Sequence, residues 1–500
     1  MADIITRDPD TDSIHGLPNA APPWLRIDSV ITAVLLIAAA ATRFFHLGEP
    51  PTMVFDEMFP LGVARNLLQH QPYRDTHPPF PGEMVALSIK LFGDNPSSWR
   101  MANASIGTAM VAITYLVARR MFNSRLAGAM AAGFVLCDGL FLVDSRLALW
   151  EVFYLTFAAV AYLMLLRFAQ SVDPFARRKS LVWMGLALGL ALGSKLGIPV
   201  VTLMLTLGAT LLVAAGSPLT GVSVTNDRRT IPYREMLSIV ALVGGLSALV
   251  YLAVFMPIYW FGWWHGIGDQ IVYYETEYRN QTQSFHGNPH HYASPWWSWP
   301  FMLRPMRYYV PDEFVVSATG AFPSIRGIGN PILWWGALMA IVLIVRQSIT
   351  RRNAVLAFLV VGYLLYFAMW IPIGRFQFIY YYMPALYLGF LALAGMLTEC
   401  WAGTTRKWEE GALLIAASPV LVMGLGAMIG AIAIAAIAIA YAVLLRIREK
   451  DTGSMVCALY LGGALILFVY FLPLSIALPL TPQQVSARMW LRGPGLPDWR

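Results

Sequence analysis

The chain has 500 residues, of which 58% are hydrophobic and 13% charged. A soluble domain is nearer half apolar and a quarter charged, so a water-soluble globular enzyme is excluded and a polytopic membrane protein is indicated. The formal net charge of +7 does not point to nucleic acid, because the basic residues fall in short loops between apolar runs.

Residues 1–28 form a polar tail without the apolar core of a signal peptide, and read as a cytoplasmic segment. About thirteen candidate membrane spans follow, of which the short pair 180–193/196–215 and the Gly/Ala-rich stretch 411–446 could be drawn otherwise. They lie near 29–46, 99–118, 126–143, 148–167, 180–193, 196–215, 236–258, 331–346, 354–371, 377–398, 411–427, 429–446 and 455–479. With the N-terminus inside, every inner loop is basic: Arg119, Arg120 and Arg125; Arg167, Arg177, Arg178 and Lys179; Arg228, Arg229 and Arg234; Arg346, Arg351 and Arg352; Arg406 and Lys407; Arg446, Arg448 and Lys450. The outer side then receives two long segments, 47–98 and 259–330, and a tail from 480 to 500. This gives a transmembrane module over 29–398, further membrane helices over 399–479 and an extracytoplasmic tail. The three cysteines, Cys137, Cys400 and Cys457, lie in or beside apolar runs and show no metal spacing.

The first outer segment opens with FDEMFP, which puts Asp56 and Glu57 side by side just above the first span. Leu61, Ala64, Leu67 and Leu68 then recur at helical spacing, as do Met84, Leu87, Ser88 and Leu91 after the break at HPPFP. Both stretches are expected to be amphipathic helices lying along the outer surface. An acidic pair there is either a solvated helix start or a catalytic carboxylate within reach of a proton.

More charges collect at outer span ends. Arg100 opens the second span; Asp138, Asp144, Arg146 and Glu151 flank the turn between the third and fourth; Lys195 lies between the fifth and sixth; Arg375 opens the tenth. Charges within a membrane are costly and usually face a partner or a cavity. Four cations beside an acidic pair suit an anionic headgroup such as a lipid phosphate. Residues 259–330 add the Trp-rich runs WFGWWHG and SPWWSWP, an interfacial belt or a cover for substrate. His290 and His291 have no third ligand at a recognisable spacing, so no metal is expected.

In order, DE, HPP, an arginine opening the second span, D…SR and SK-x-G resemble the protein O-mannosyltransferase family. So do HHYASPWWSWPFMLRP (290–305), GNPILWW (329–335) and RFQFIYYYMP (375–384). The likeness runs over roughly residues 40 to 390. It implies an all-α polytopic protein with the glycosyltransferase architecture called GT-C, in the bacterial plasma membrane, with the N-terminus cytoplasmic and the site outside. It further implies inverting transfer of mannose from polyprenyl-phosphate mannose to Ser or Thr of a translocated protein. By resemblance Asp56 is the essential acid and Glu57 its partner. Arg375, Lys195, Arg100 and Arg146 are assigned to the donor phosphate; His77, Asp138, Glu151, His290 and His291 are supporting residues. Arg100 and Arg146 could instead pair with Asp138 or Glu151. The chain departs from the family in having FPGE where a lysine tends to follow HPP, His290-His291-Tyr292 in place of HPY, and Glu151 where aspartate is usual.

Two other readings fit the same spans. One is a GT-C enzyme moving another lipid-linked sugar, such as aminoarabinose, to a lipid or envelope acceptor. The other is a lipid transporter, which would call for broken mid-membrane helices and pseudo-symmetry; no internal repeat is evident.

Overall fold

The structure, a computed structural model, describes residues 22–72, 77–216, 233–282, 292–311, 320–425, 451–491 and Trp499. It is built almost wholly from helices, with one short antiparallel hairpin pairing β1 (Met306–Tyr309) with β2 (Ile325–Gly327). The helices are α1 (Arg26–Phe44), α2 (Met58–Leu68), α3 (Phe80–Phe92), α4 (Pro96–Met121), α5 (Arg125–Leu136), α6 (Gly139–Arg146), α7 (Glu151–Gln170), α8 (Pro174–Leu192) and α9 (Ile198–Ala214). There follow α10 (Tyr233–Val254), α11 (Met256–Trp260), α12 (Ile267–Thr282), α13 (Pro331–Thr350), α14 (Ala354–Ala368), α15 (Met383–Trp401), α16 (Lys407–Leu425), α17 (Asp451–Ser475) and α18 (Pro482–Ala487).

Among the described residues seven helices are long and apolar enough to cross a membrane, or eight if the bent pair α5–α6 counts as one span. Each expected span falls on a helix or on that pair, except 429–446, which lies outside the described residues. The third span departs from expectation: a 64° bend at the break between Leu136 and Gly139 separates its halves. Asp138 explains the break. Its carboxylate caps α6 by accepting from the Leu140 and Phe141 amides at 3.0 and 3.1 Å, which starts a new helix.

Burial separates inner helices from outer ones. The most apolar windows of α7 and of the stretch Ile379–Trp401 are 83% and 89% buried, against 17% for α1 and 22% for α10. The first pair forms the centre of the bundle, and the second shows its apolar side chains to lipid. The outer segment carries its own small core, in which Leu61 and Ala64 of α2 meet Val85, Ala86 and Ile89 of α3, with Trp99 and Ala148 beneath.

Leu87 and Leu91 of α3 are 49% and 64% exposed, while Val85, Ser88 and Ile89 face inward. A helix at a membrane surface can turn one apolar face to protein and another to lipid, so hydrophobicity alone does not mark the buried side.

Candidate active site at one end of the bundle

The site begins with a clamp. Glu57 is fully buried and accepts from Nε and Nη2 of Arg100 at 2.7 and 2.8 Å. The Val54 amide donates to it at 2.9 Å and the Ala148 amide at 3.0 Å. Arg100 uses its remaining N–H groups on the carbonyls of Leu47, Pro50 and Thr52, at 3.0–3.1 Å. This charge-assisted, fork-shaped pairing pins the chain from Leu47 to Glu57 onto the second turn of α4. The cap Asn95 and the ring of Pro96 start that helix, so Arg100 projects from a defined turn.

The clamp holds Asp56 at the edge of the cluster. Phe55, just before it, adopts a left-handed backbone with φ of 49°, a conformation side chains resist and functional sites retain. Asp56 is half-buried, and among the described residues no donor bonds its carboxylate. Burial pushes its pKa up to about 7; the nearby Glu151 carboxylate adds to the rise, and Lys195 and Arg375 oppose it. Such a group changes charge near neutral pH, which a general base must do.

The two cations lie in an aromatic frame. Lys195, in the loop between α8 and α9, forms an ion pair with Glu151 at the start of α7. Its ammonium also sits 5.2–5.6 Å from the ring centres of Trp150, Tyr380 and Tyr381. Arg375 donates to the Tyr381 hydroxyl at 2.5 Å, so one tyrosine touches both cations. Arg375 also lines an open cavity of about 310 Å³, bounded on the other side by Ser294, Pro295 and Trp296. His77 packs edge-on to Trp150 at 4.4 Å, with Nδ1 3.8 Å from Glu277 of α12. Burial, then Lys195 and Arg375, hold its pKa well below the usual histidine range, so it is neutral here.

Other expected site residues lie elsewhere. Arg146 donates to the carbonyls of Thr42, Arg43, Phe45 and His46 at 2.7–3.0 Å, ending α1 rather than facing an anion or pairing with Asp138 or Glu151. Arg100 pairs with Glu57 rather than with Asp138 or Glu151. Asp138 also accepts from the Asn330 amide at 2.8 Å and the Trp334 indole at 2.7 Å, which ties the bend to the GNPILWW motif. These three have committed their polar atoms to the framework. His290 and His291 lie outside the described residues. Sequence reasoning gave no role to Asp144, fully buried beside Glu151 and Lys195, or to Tyr308, edge-on to Phe55 at 5.4 Å. Asp144 stands in the D…SR motif; Tyr308 had no signal beyond an aromatic residue in an outer loop. No group of three or more metal-ligating side chains occurs among the described residues.

Comparison with known proteins places this arrangement. The family model for dolichyl-phosphate-mannose-protein mannosyltransferase matches residues 33–261, and that for the C-terminal four-helix membrane region of protein O-mannosyltransferase matches 269–493. The polyprenol-phosphate-mannose–protein mannosyltransferases of Mycobacterium tuberculosis and Mycolicibacterium smegmatis are each 24% identical, over 94% of this chain and 92% of theirs. Among solved structures, the Saccharomyces cerevisiae Pmt1-Pmt2 complex bound to its sugar donor superimposes with a TM-score of 0.74, at 14% identity over 94% of this chain and 93% of that one. ArnT from Cupriavidus metallidurans bound to undecaprenyl phosphate gives 0.54, at 15% identity over 89% and 77%. The architecture is therefore GT-C. With both family models in chain order across nearly its whole length, and the DE, HPP, SR and SK motifs gathered at one end of the bundle, the chain belongs to the protein O-mannosyltransferase family.

Proposed function

We propose that this protein transfers mannose from a polyprenyl-phosphate carrier to Ser or Thr hydroxyls of translocated proteins, at the extracytoplasmic face of a bacterial plasma membrane. The observation that carries the reading is Asp56: a half-buried carboxyl with its pKa raised to about 7, fixed by the Glu57–Arg100 clamp and facing Lys195 and Arg375. Asp56 takes the proton from the acceptor hydroxyl as its oxygen attacks the sugar. The donor's phosphate leaves from the opposite face, so the anomeric configuration inverts, as in single displacements at sugars generally. Lys195 and Arg375 stabilise the negative charge that grows on the phosphate, in a site where buried aromatic walls weaken competition from water. Neutral His77 and the Trp150 ring close the side toward α12.

Arg100, Arg146 and Asp138 are given framework roles, and Glu57 orients the loop that carries the base. The outer segments 47–98 and 259–330 supply Asp56, His77 and the Ser294–Trp296 wall, and Lys195 and Arg375 join them from other loops of a catalytic module over 29–398. Among the described residues, α16 and α17 add to the membrane bundle after that module.

The test is transfer by purified protein from polyprenyl-phosphate mannose to a Ser/Thr-rich peptide, comparing wild type with Asp56→Asn. Asparagine keeps the shape and removes the base, so the rate should fall by roughly 10²–10⁴-fold while the protein still folds. Equal rates would remove Asp56 from the chemistry. The similarity to ArnT supports a second reading, with another lipid-linked sugar and a lipid acceptor; competition among polyprenyl-phosphate sugars separates the two.

A further inference from the structure

We propose that Trp499 is a positioning residue that holds the tryptophan-rich wall of the donor-phosphate site. The inference rests on the reading that Arg375 and Lys195 bind that phosphate. Trp499 lies beyond residues 269–493, the part matched by the family model, yet its side chain is 1% exposed. Its indole stacks on Trp490 at 6.2 Å and lies 6.2 Å from Phe471 of α17. Its backbone is fixed as well: its amide donates to the Leu491 carbonyl at 3.1 Å, and its own carbonyl accepts from Arg326 of β2 at 3.2 Å.

The indole N–H donates to the Met302 carbonyl at 2.9 Å. Met302 ends the SPWWSWPF turn with φ of 53°, a left-handed conformation that a side chain resists. An outside partner on its carbonyl helps to keep it there. From Met302 the contacts run inward without a gap. The Met302 amide donates to the Trp299 carbonyl at 2.8 Å. The Trp299 indole N–H donates to the Ser294 hydroxyl at 3.0 Å, and its ring meets Trp370 and Tyr381 at 6.0 and 6.3 Å. Trp370 and Tyr381 stack at 4.3 Å, 3° from parallel. Tyr381 takes the hydrogen bond from Arg375 and lies under Lys195. Ser294 also donates its amide to the Gln377 carbonyl at 2.8 Å, beside the cavity that Arg375 lines. One continuous set of rings and hydrogen bonds therefore joins Trp499 to both cations, the kind of packed path along which a remote change alters affinity.

The test uses the full chain in nanodiscs and three variants: Trp499→Ala, Trp499→Phe and, as control, Asp56→Asn. Binding of undecaprenyl phosphate is measured directly, together with hydrogen exchange over residues 294–303 and the KM and kcat for mannose transfer. Trp499→Ala should speed exchange over 294–303 and weaken lipid-phosphate binding roughly threefold to tenfold. KM for the donor should rise in step and kcat change less. Trp499→Phe keeps the stack and loses the N–H, and should recover part of the affinity. Asp56→Asn should lose kcat and keep the lipid affinity. Unchanged exchange in Trp499→Ala, or faster exchange with unchanged lipid affinity, would overturn the inference. Lipid binding with no mannose transfer in wild type would instead sink the functional reading and leave the positioning test standing.

Discussion

The informative feature of Asp56 is the company it keeps. Burial and the Glu151 carboxylate raise its pKa to about 7, and Lys195 and Arg375 pull against them. A base must be ionised, so transfer should fall as pH drops below about 7 and level off above it. For stability the direction is opposite: a carboxyl whose folded pKa lies above its unfolded value favours the fold at low pH and loses that contribution as pH rises through 7. Glu151→Gln removes a repelling charge and also frees Lys195, and both changes favour ionised Asp56. The acid limb of the pH–rate profile should therefore move to lower pH, and Lys195→Met should move it higher. A limb that stays put in both variants would show that the titrating base is not Asp56. Arg100 gives a separate prediction. Its N–H groups serve Glu57 and three carbonyls, a fork that lysine cannot reproduce. Arg100→Ala would leave Glu57 buried and unpaired, a change that typically costs 3–5 kcal/mol. Thermal unfolding in detergent should show a clear drop, with Arg100→Lys recovering little of it.

At the element scale, the bend between α5 and α6 decides where the D…SR motif points. Asp138 accepts four hydrogen bonds, two from the start of α6 and two from Asn330 and Trp334 of the GNPILWW motif. Asp138→Asn would keep an oxygen for the cap but turn an NH₂ toward two donors. A loss of about 1–3 kcal/mol in stability is expected, with the rate per folded molecule retained. A catalytic Asp138 would show the reverse, lost rate at unchanged stability. Gly139 is tied to the same joint, because a Cβ there would run directly into the Ile328 carbonyl. The helices themselves were legible in the sequence, since apolar runs, N-caps and prolines are local signals. Asp56 and Glu57 were legible as a polar pair just past an apolar run. What they bond to was not: Glu57 meets Arg100 across 43 positions and Ala148 across 91, and only folding joins them. Arg146 was read as an anion ligand because residue type does not reveal that four carbonyls at the end of α1 await donors.

At the scale of the whole molecule, two polar clusters are held apart by the membrane helices. At the start of α1, Asp28 accepts from Arg119 at 2.7 Å, Arg125 at 3.1 Å and the Tyr115 hydroxyl at 2.6 Å. The Glu57–Arg100 clamp and Asp56 lie past its other end. A helix of 19 residues spans about 28 Å, close to the thickness of a bilayer's hydrocarbon core. We propose that the two clusters belong to opposite faces, with the Asp28 end inside, where the basic loops would lie. Cysteine labelling tests this. Gln71 is exposed beyond α2 on the site's side, and Val172 is 97% exposed in the short loop between α7 and α8. The native thiols should add little background, since Cys400 and Cys457 are buried and Cys137 is half-buried at the helix bend. A membrane-impermeant maleimide should label Gln71→Cys in intact cells and reach Val172→Cys only after permeabilisation. The opposite pattern would put Asp56, Lys195 and Arg375 on the cytoplasmic side. Transfer to proteins already carried across the membrane would then be ruled out, whatever the chemistry of the site.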